Sequence, residues 1–438
     1  MLSRYSKVIA LVTTLLASSL GVSAQGQRGE KIDLEAINKI KEEGMKHSQV
    51  METLSYLTDV YGPRLTGSPN IRAANEWAKK KLTEWGLQNA HLEGWPFGRG
   101  WSLEGFTANV VAPQFIPLIA FPKAWTPSTN GSVRGEAVYL DAKTEADLEK
   151  YKGKLKGAIV LIAAAREVRA HFEAQGRRMT DEDLLRLANA DPPGAGAGQG
   201  RRPETAADQR AAAELLNKKW QLAVAEGAAV VLEPGRGDGG TLFVQSVNIP
   251  APADTPFDRR PRPYSKDAPA IVPQAVVAVE HYNRMIRMLN KGSRLQLEVN
   301  ISSRFYDDDQ SSYNVVAEIP GTDLKDEVVM LGAHFDSWHS GTGATDNGAG
   351  SAVCLEAVRI IQSLGLKPRR TIRIGLWSGE EEGLLGSRAY VSEHFGKRTD
   401  QQQQGRQAGG GTPSTPTFAL MPEQAKVAGC LRYRSSVA

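Results

Sequence analysis

"EVVMLGAHFD" at residues 327–336 and "RRTIRIGLWS" at 369–378 are two short apolar runs, and "AGSAVCLEAVRIIQSLGL" at 349–366 lies between them. The outer two alternate as β-strands do, with Ile372, Ile374 and Leu376 on one face of the second, whereas the middle one repeats as a helix. Strand, helix and strand in this order, with mainly apolar strands, form the βαβ unit of a parallel, doubly wound sheet. The predicted fold class is therefore α/β with a mostly parallel sheet, to which "NVVAEIPG" at 314–321 adds a further strand. In such sheets ligands bind in the crevice beyond the carboxyl ends of the strands. One strand here runs out into "AHFDSW" and the other into "SGEEEG", so the two loops are expected to face one crevice.

The loops carry unusual chemistry for that position. His334 and Asp336 follow the first strand, Asp346 opens the helix within "GTGATDNGAGSA", and Glu380, Glu381 and Glu382 follow Trp377. Three glutamates ahead of a helix could simply complement its dipole, and a lone aspartate among glycines could be a helix cap. Imidazole and carboxylates arriving from successive strand ends are, taken together, a ligand set for zinc or a similar borderline cation. Asp336 is spaced to orient the His334 imidazole. Asp346 has two oxygens with which to bridge two metals. Of the three glutamates, one can bind metal and its neighbour can act as general base, which leaves the third facing solvent.

Working outward, residues 31–87 read as helix-rich, broken by an ordered loop "YGPRLTGSPN" at 61–70, with Ala74, Trp77, Ala78, Leu82 and Trp85 on the buried side of the following helix. From about Gly135 the runs "GEAVYL", "GKLKGAIVLIAA", "GAAVVLEPG", "GTLFVQ" and "PAIVPQAVVAV" read as strands, with a long helix in "AADQRAAAELLNKKWQLAVAEGA". "ADPPGAGAGQGRRPE" between them reads as a flexible connection, because its glycines do not fit a dinucleotide-binding fingerprint.

The first 24 residues, ending Val22-Ser23-Ala24, have Arg4 and Lys7, an apolar core and small residues before the expected cut. They read as a signal peptide, so the protein is expected to be secreted or periplasmic. No later segment is long and apolar enough to span a membrane. The 438 residues carry a formal charge of +4, and losing Arg4 and Lys7 would leave a nearly neutral chain. With no basic cluster interleaved with aromatics, a nucleic-acid partner is not expected. Cys354 and Cys430 are too few for a disulfide scaffold, no GxSxG marks a serine hydrolase, and no HExxH marks a one-zinc protease.

The blocks "YGPRLTGSPN", "HLEGW" at 91–95, "GAHFDSWHSGTGATDNGAGSA" and "RRTIRIGLWSGEEEGLLGSRAY" resemble the co-catalytic zinc exopeptidases, the family that includes aminopeptidase Y, glutamate carboxypeptidase and carboxypeptidase Q, the last above all. The resemblance implies two zinc ions, with His334 and Glu381 on different ions and Asp346 between them. It also implies that Asp336 supports His334 and that Glu380 is the general base on the bridging water. It divides the chain into a signal peptide (1–24), a first part of the peptidase domain (25–130), an inserted protease-associated domain (131–295) and a metal-binding part (296–438). The substrates implied are dipeptides or short peptides, selected by a free carboxyl end or, alternatively, a free amino end. Members of the family add a further aspartate and a late histidine, and the sequence after Asp400 has neither. A truncated chain, at most a binding module, is thus the competing expectation, with His394 and Asp400 poor substitutes.

Overall fold

A computed structural model describes residues 32–174, 176–190, 203–252, 255–256, 259–398 and 418–420. The expected signal peptide, most of the glycine-rich connection at 190–204, Asp400 and Cys430 lie outside the described residues. Two units are distinguished, one up to Ser48 and one from Gln49 onward. In the first, the helix Leu34–Lys46 starts where the Asp33 carboxylate accepts the Ala36 amide at 3.0 Å, satisfying one of the free donors of the first turn.

In the second unit, the sheet that carries the predicted loops has four strands in the order Gln88–Pro96, Ser311–Ile319, Arg370–Trp377 and Leu324–His334. The α/β arrangement is as expected: strand Leu324–His334, helix Ala349–Ser363 and strand Arg370–Trp377 form the crossover, and its two strands pair in parallel. The other two pairings are antiparallel, so the described part of this sheet is mixed rather than mostly parallel. The crossover contributes a single parallel neighbour, and Ser311–Ile319 runs the other way between its partners. Helix Pro69–Glu84, started by Pro69 at its first turn and capped by the Ser68 hydroxyl, buries Ala74, Ala78 and Leu82 against Val315, Ala317, Ile374 and Leu376. Trp77 and Trp85 pack at the margin of this core, where their larger rings stay partly exposed.

A second sheet has eight strands in the order Ile116–Pro117, Gly100–Ala112, Gln296–Tyr306, Val133–Tyr139, Ile159–Leu161, Val230–Pro234, Gln274–Val277 and Ala120–Pro122. Four of the five strands expected between 131 and 295 are present. "GTLFVQ" is instead a loop that makes one isolated bridge, from Ser246 to Ala124. Val244 is buried and Phe243 is exposed, so the segment buries one apolar side chain without a strand. Strand Gln296–Tyr306 pairs along both Gly100–Ala112 and Val133–Tyr139. Among the described residues no helix is long and apolar enough to cross a membrane.

Candidate metal centre

The parallel register sets His334 beside Trp377, so both strands end on the same edge, and the Phe335 amide donates to the Trp377 carbonyl at 2.5 Å. From this edge the three expected ligands meet. One ligand atom each from His334, Asp346 and Glu381 lies within 4.8 Å of the other two, the one such group among the described residues. His334 Nε2 is 2.8 Å from Asp346 Oδ1 and 3.9 Å from Glu380 Oε2. Asp346 sits in the tight turn Ala344–Gly348 and its side chain is 76% exposed, so its second oxygen remains accessible. Gly343, at φ 62°, lets this turn close, because a Cβ there would collide with the Ser337 side chain.

Asp336 is fully buried. His334 Nδ1 lies 3.2 Å from its carbonyl oxygen and 3.5 Å from its Oδ1, the placement of a group that orients the ring and leaves Nε2 free to bind. Asp336 Oδ2 accepts the Glu381 amide at 3.1 Å. The Ser351 hydroxyl holds the His334 carbonyl at 2.8 Å.

The electrostatics are those of crowded carboxylates around one imidazole. Burial works to lower the His334 pKa, but Asp336, then Glu380 and Asp346, override it and hold the ring at about 9. Burial raises Glu380, with His334 opposing and Asp336 and Asp346 adding to the rise. Glu381 is pushed up to about 7 by burial and by Asp336 and Asp346. A cation among these groups would relieve the repulsion that raises them. The third glutamate departs from expectation. Glu382 does not face solvent: both its carboxylate oxygens are buried, with no hydrogen bond of good geometry and the Thr66 hydroxyl close by. Burial, then the Asp336 and Glu381 carboxylates, raises it well above the usual carboxylate range. The turn that aims Glu380 and Glu381 at the crevice folds Glu382 back toward the interior, with the Gly383 and Leu384 amides both donating to the Glu380 carbonyl.

Several supporting residues carry no motif of their own. Arg64, fully buried, donates to five carbonyls: Phe335 at 2.8 Å, Leu57 at 2.7 Å, Gly62 at 3.1 Å, Thr342 at 2.9 Å and Gly343 at 3.1 Å. It thereby ties the 61–70 loop to the segment that runs from His334 to Asp346. Trp95 donates to the Ser378 hydroxyl at 3.1 Å and packs under Gly379, whose φ is 72°. The only advance signal for either was its place in "YGPRLTGSPN" or "HLEGW". His394 is bound elsewhere, 2.8 Å from Glu93 Oε2 and against the Tyr390 ring, and takes no part in the cluster.

Residues 314–404, which include all five predicted site residues, match Peptidase family M28. The segment that builds this centre is thus similar to that family. Carboxypeptidase Q of Bos taurus is 30% identical over 355 residues, 80% of this chain and 62% of the relative. Leupeptin-inactivating enzyme 1 of Streptomyces exfoliatus is 45% identical over 82 residues, 19% of this chain and 18% of the relative. The chain thus spans about three fifths of the length of the carboxypeptidase Q that it matches along most of its own length. The crystal structure of a peptidase M28 precursor from Shewanella amazonensis shares the fold, with a TM-score of 0.53 at 24% identity, over 82% of this chain and 70% of that one.

Proposed function

We propose that this chain is an exported, zinc-dependent exopeptidase that hydrolyses dipeptides or short peptides, with residues 131–295 as its protease-associated domain. The observation that carries the reading is the convergence of His334, Asp346 and Glu381 within 4.8 Å, with Glu380 at the rim. The donor set fits the metal: one imidazole nitrogen and two carboxylates suit zinc, and their crowding is relieved by positive charge. His334, Asp346 and Glu381 would hold it, with Asp346 shared if two ions bind. Zinc supplies Lewis acidity at the scissile carbonyl and a lowered proton affinity for water.

The chain's own groups do the rest. Asp336, buried behind His334, fixes the ring so that Nε2 faces the crevice. Glu380 is 36% exposed at its side chain, so it can take a proton from the attacking water and give it to the leaving amine. Its raised pKa suits both halves of that task.

Selection of the free carboxyl end is the first reading and selection of the free amino end the second. The test is a panel of dipeptides blocked by acetylation at one end or amidation at the other, run on purified chain with its zinc content measured. Loss of turnover only on amidation assigns the carboxyl end, and loss only on acetylation the amino end. Zinc-free protein with full turnover, or zinc-loaded protein with none on any unblocked dipeptide, would sink the reading.

A further inference from the structure

Thr66 lies in the 61–70 loop and is fully buried. Its hydroxyl makes two bonds of opposite sense. It donates to Asp336 Oδ2 at 3.1 Å and accepts the Gly379 amide at 2.9 Å. An amide N–H can only donate, so the hydroxyl proton points to the carboxylate side, where Asp336 accepts it and the Glu382 carboxyl also lies close. The same Asp336 oxygen accepts the Glu381 amide at 3.1 Å. The tripeptide Gly379-Glu380-Glu381 is therefore tethered at both ends to one oxygen, directly at residue 381 and through Thr66 at residue 379. Glu380 is the residue in the middle.

We infer that Thr66 is a positioning residue that sets the Glu380 carboxylate against His334, through the chain Gly379 amide, Thr66 hydroxyl, Asp336 carboxylate. Asp336 also faces His334 Nδ1 at 3.5 Å, so one buried carboxylate registers the imidazole and the glutamate turn together, and Thr66 closes the ring. Gly379 alone would not hold this geometry, because a glycine at φ 72° has the widest backbone freedom of any residue. The inference rests on the proposed peptidase reading for its effect on rate, but the tether itself does not.

The full chain is compared with Thr66→Val, which keeps the shape and removes the hydroxyl, and with Thr66→Ser, which restores it. Loss of a group that holds ligand partners costs about 10–100-fold in activity or metal affinity. The expected result for Thr66→Val is a kcat lower by that factor with KM within about twofold, and Thr66→Ser is expected to return to within about threefold of the parent. Thr66→Ala carries the same comparison if the Val variant fails to reach the parent's melting temperature. Backbone amide hydrogen exchange is read on the same proteins, with and without zinc chloride. Exchange at Gly379 and Glu381 is expected to quicken at least tenfold in Thr66→Val and to recover in Thr66→Ser. An inactive parent would count against the peptidase reading alone, since the exchange still reports on the tether. Unchanged exchange at Gly379, or parental kcat in a folded Thr66→Val protein, would overturn the inference.

Discussion

Asp336 and His334 stand two residues apart at the end of one strand, and the structure sets the Asp336 Oδ1 3.5 Å from the His334 Nδ1. Successive strand side chains alternate faces, so residues two apart share one. Here the chain leaves the strand at Phe335, and the Asp336 carboxylate turns inward while His334 looks out to Asp346 and Glu380. The neighbouring glutamates divide in a similar manner, because Glu381 meets the ligand group while Glu380 stands at its rim.

That division makes the first prediction. Glu380→Gln removes a proton acceptor but leaves the three ligands, so zinc content is expected to stay at the parent level while kcat falls by about 10²–10⁴-fold. Glu381→Ala removes a ligand, so bound zinc itself is expected to fall. Metal analysis beside single-substrate kinetics separates the two, and near-parental turnover in Glu380→Gln would remove it from the role of base.

Arg64 gives a prediction about stability. Its guanidinium is buried, which lowers its pKa to about 10 against the opposing Asp336 charge, and it serves five carbonyls. Arg64→Met would leave those carbonyls short of donors in a dry interior, where each unsatisfied group costs roughly 1–3 kcal/mol. A loss on the order of 3 kcal/mol or more is expected in urea unfolding. Arg64→Lys should recover only part of it, since an ammonium lacks the planar fork. An Arg64→Met protein within about 1 kcal/mol of the parent would show that the loops are held by other means.

Much of the candidate site, as an arrangement of side chains, was legible in the sequence, for a definite reason. The proposed ligands His334, Asp346 and Glu381 fall at strand ends and among glycines, and both features leave a pattern in a single sequence. Arg64 and Thr66 do their work through bonds to residues about 270 positions away, and local periodicity has no means of recording such partners. Glu382 failed for the same reason: a third carboxylate in a row reads as solvated, and only the turn formed around Glu380 shows that it folds inward. The mixed pairing of the sheet was hidden too, because apolar strand patterns record burial and not direction.

His339 supplies a pH prediction that does not involve the metal ligands. It is 7% exposed, its Nε2 lies 2.7 Å from the Pro122 carbonyl, and the Trp101 and Phe121 rings flank it. Burial lowers its pKa to about 4, against an opposing pull from the Pro122 carbonyl. A folded-state value below the unfolded one means that the unfolded chain binds the proton first. The stability is therefore complete above pH 6.5 and is lost as pH falls toward 4, by roughly 2–3 kcal/mol at pH 4.5 relative to pH 7.5. His339→Gln, which keeps a donor for the carbonyl but does not titrate, should flatten that part of the unfolding profile. An equally steep acid limb in the variant would assign the loss to other groups.

Zinc binding should register as folding stability. The three proposed ligands come from the end of the first crossover strand, the loop after the second one, and the turn between them, so an unfolded chain cannot present them together, and a cation that binds only the folded form stabilises it by mass action. Free zinc at 100 times its dissociation constant is expected to add about 2.7 kcal/mol. His334 binds only when neutral and the carboxylates only when ionised, so the apparent affinity should fall as pH drops and binding should release protons. The measurement is a series of thermal melts over zinc concentration at two pH values, with a chelator to reverse the shift and with Asp346→Asn alongside. Asp346 is the one ligand that contacts His334 directly, so its loss should remove most of the shift while the metal-free melt changes little, since its side chain is largely exposed. A zinc-dependent rise of equal size in Asp346→Asn would place the bound ion somewhere other than this centre.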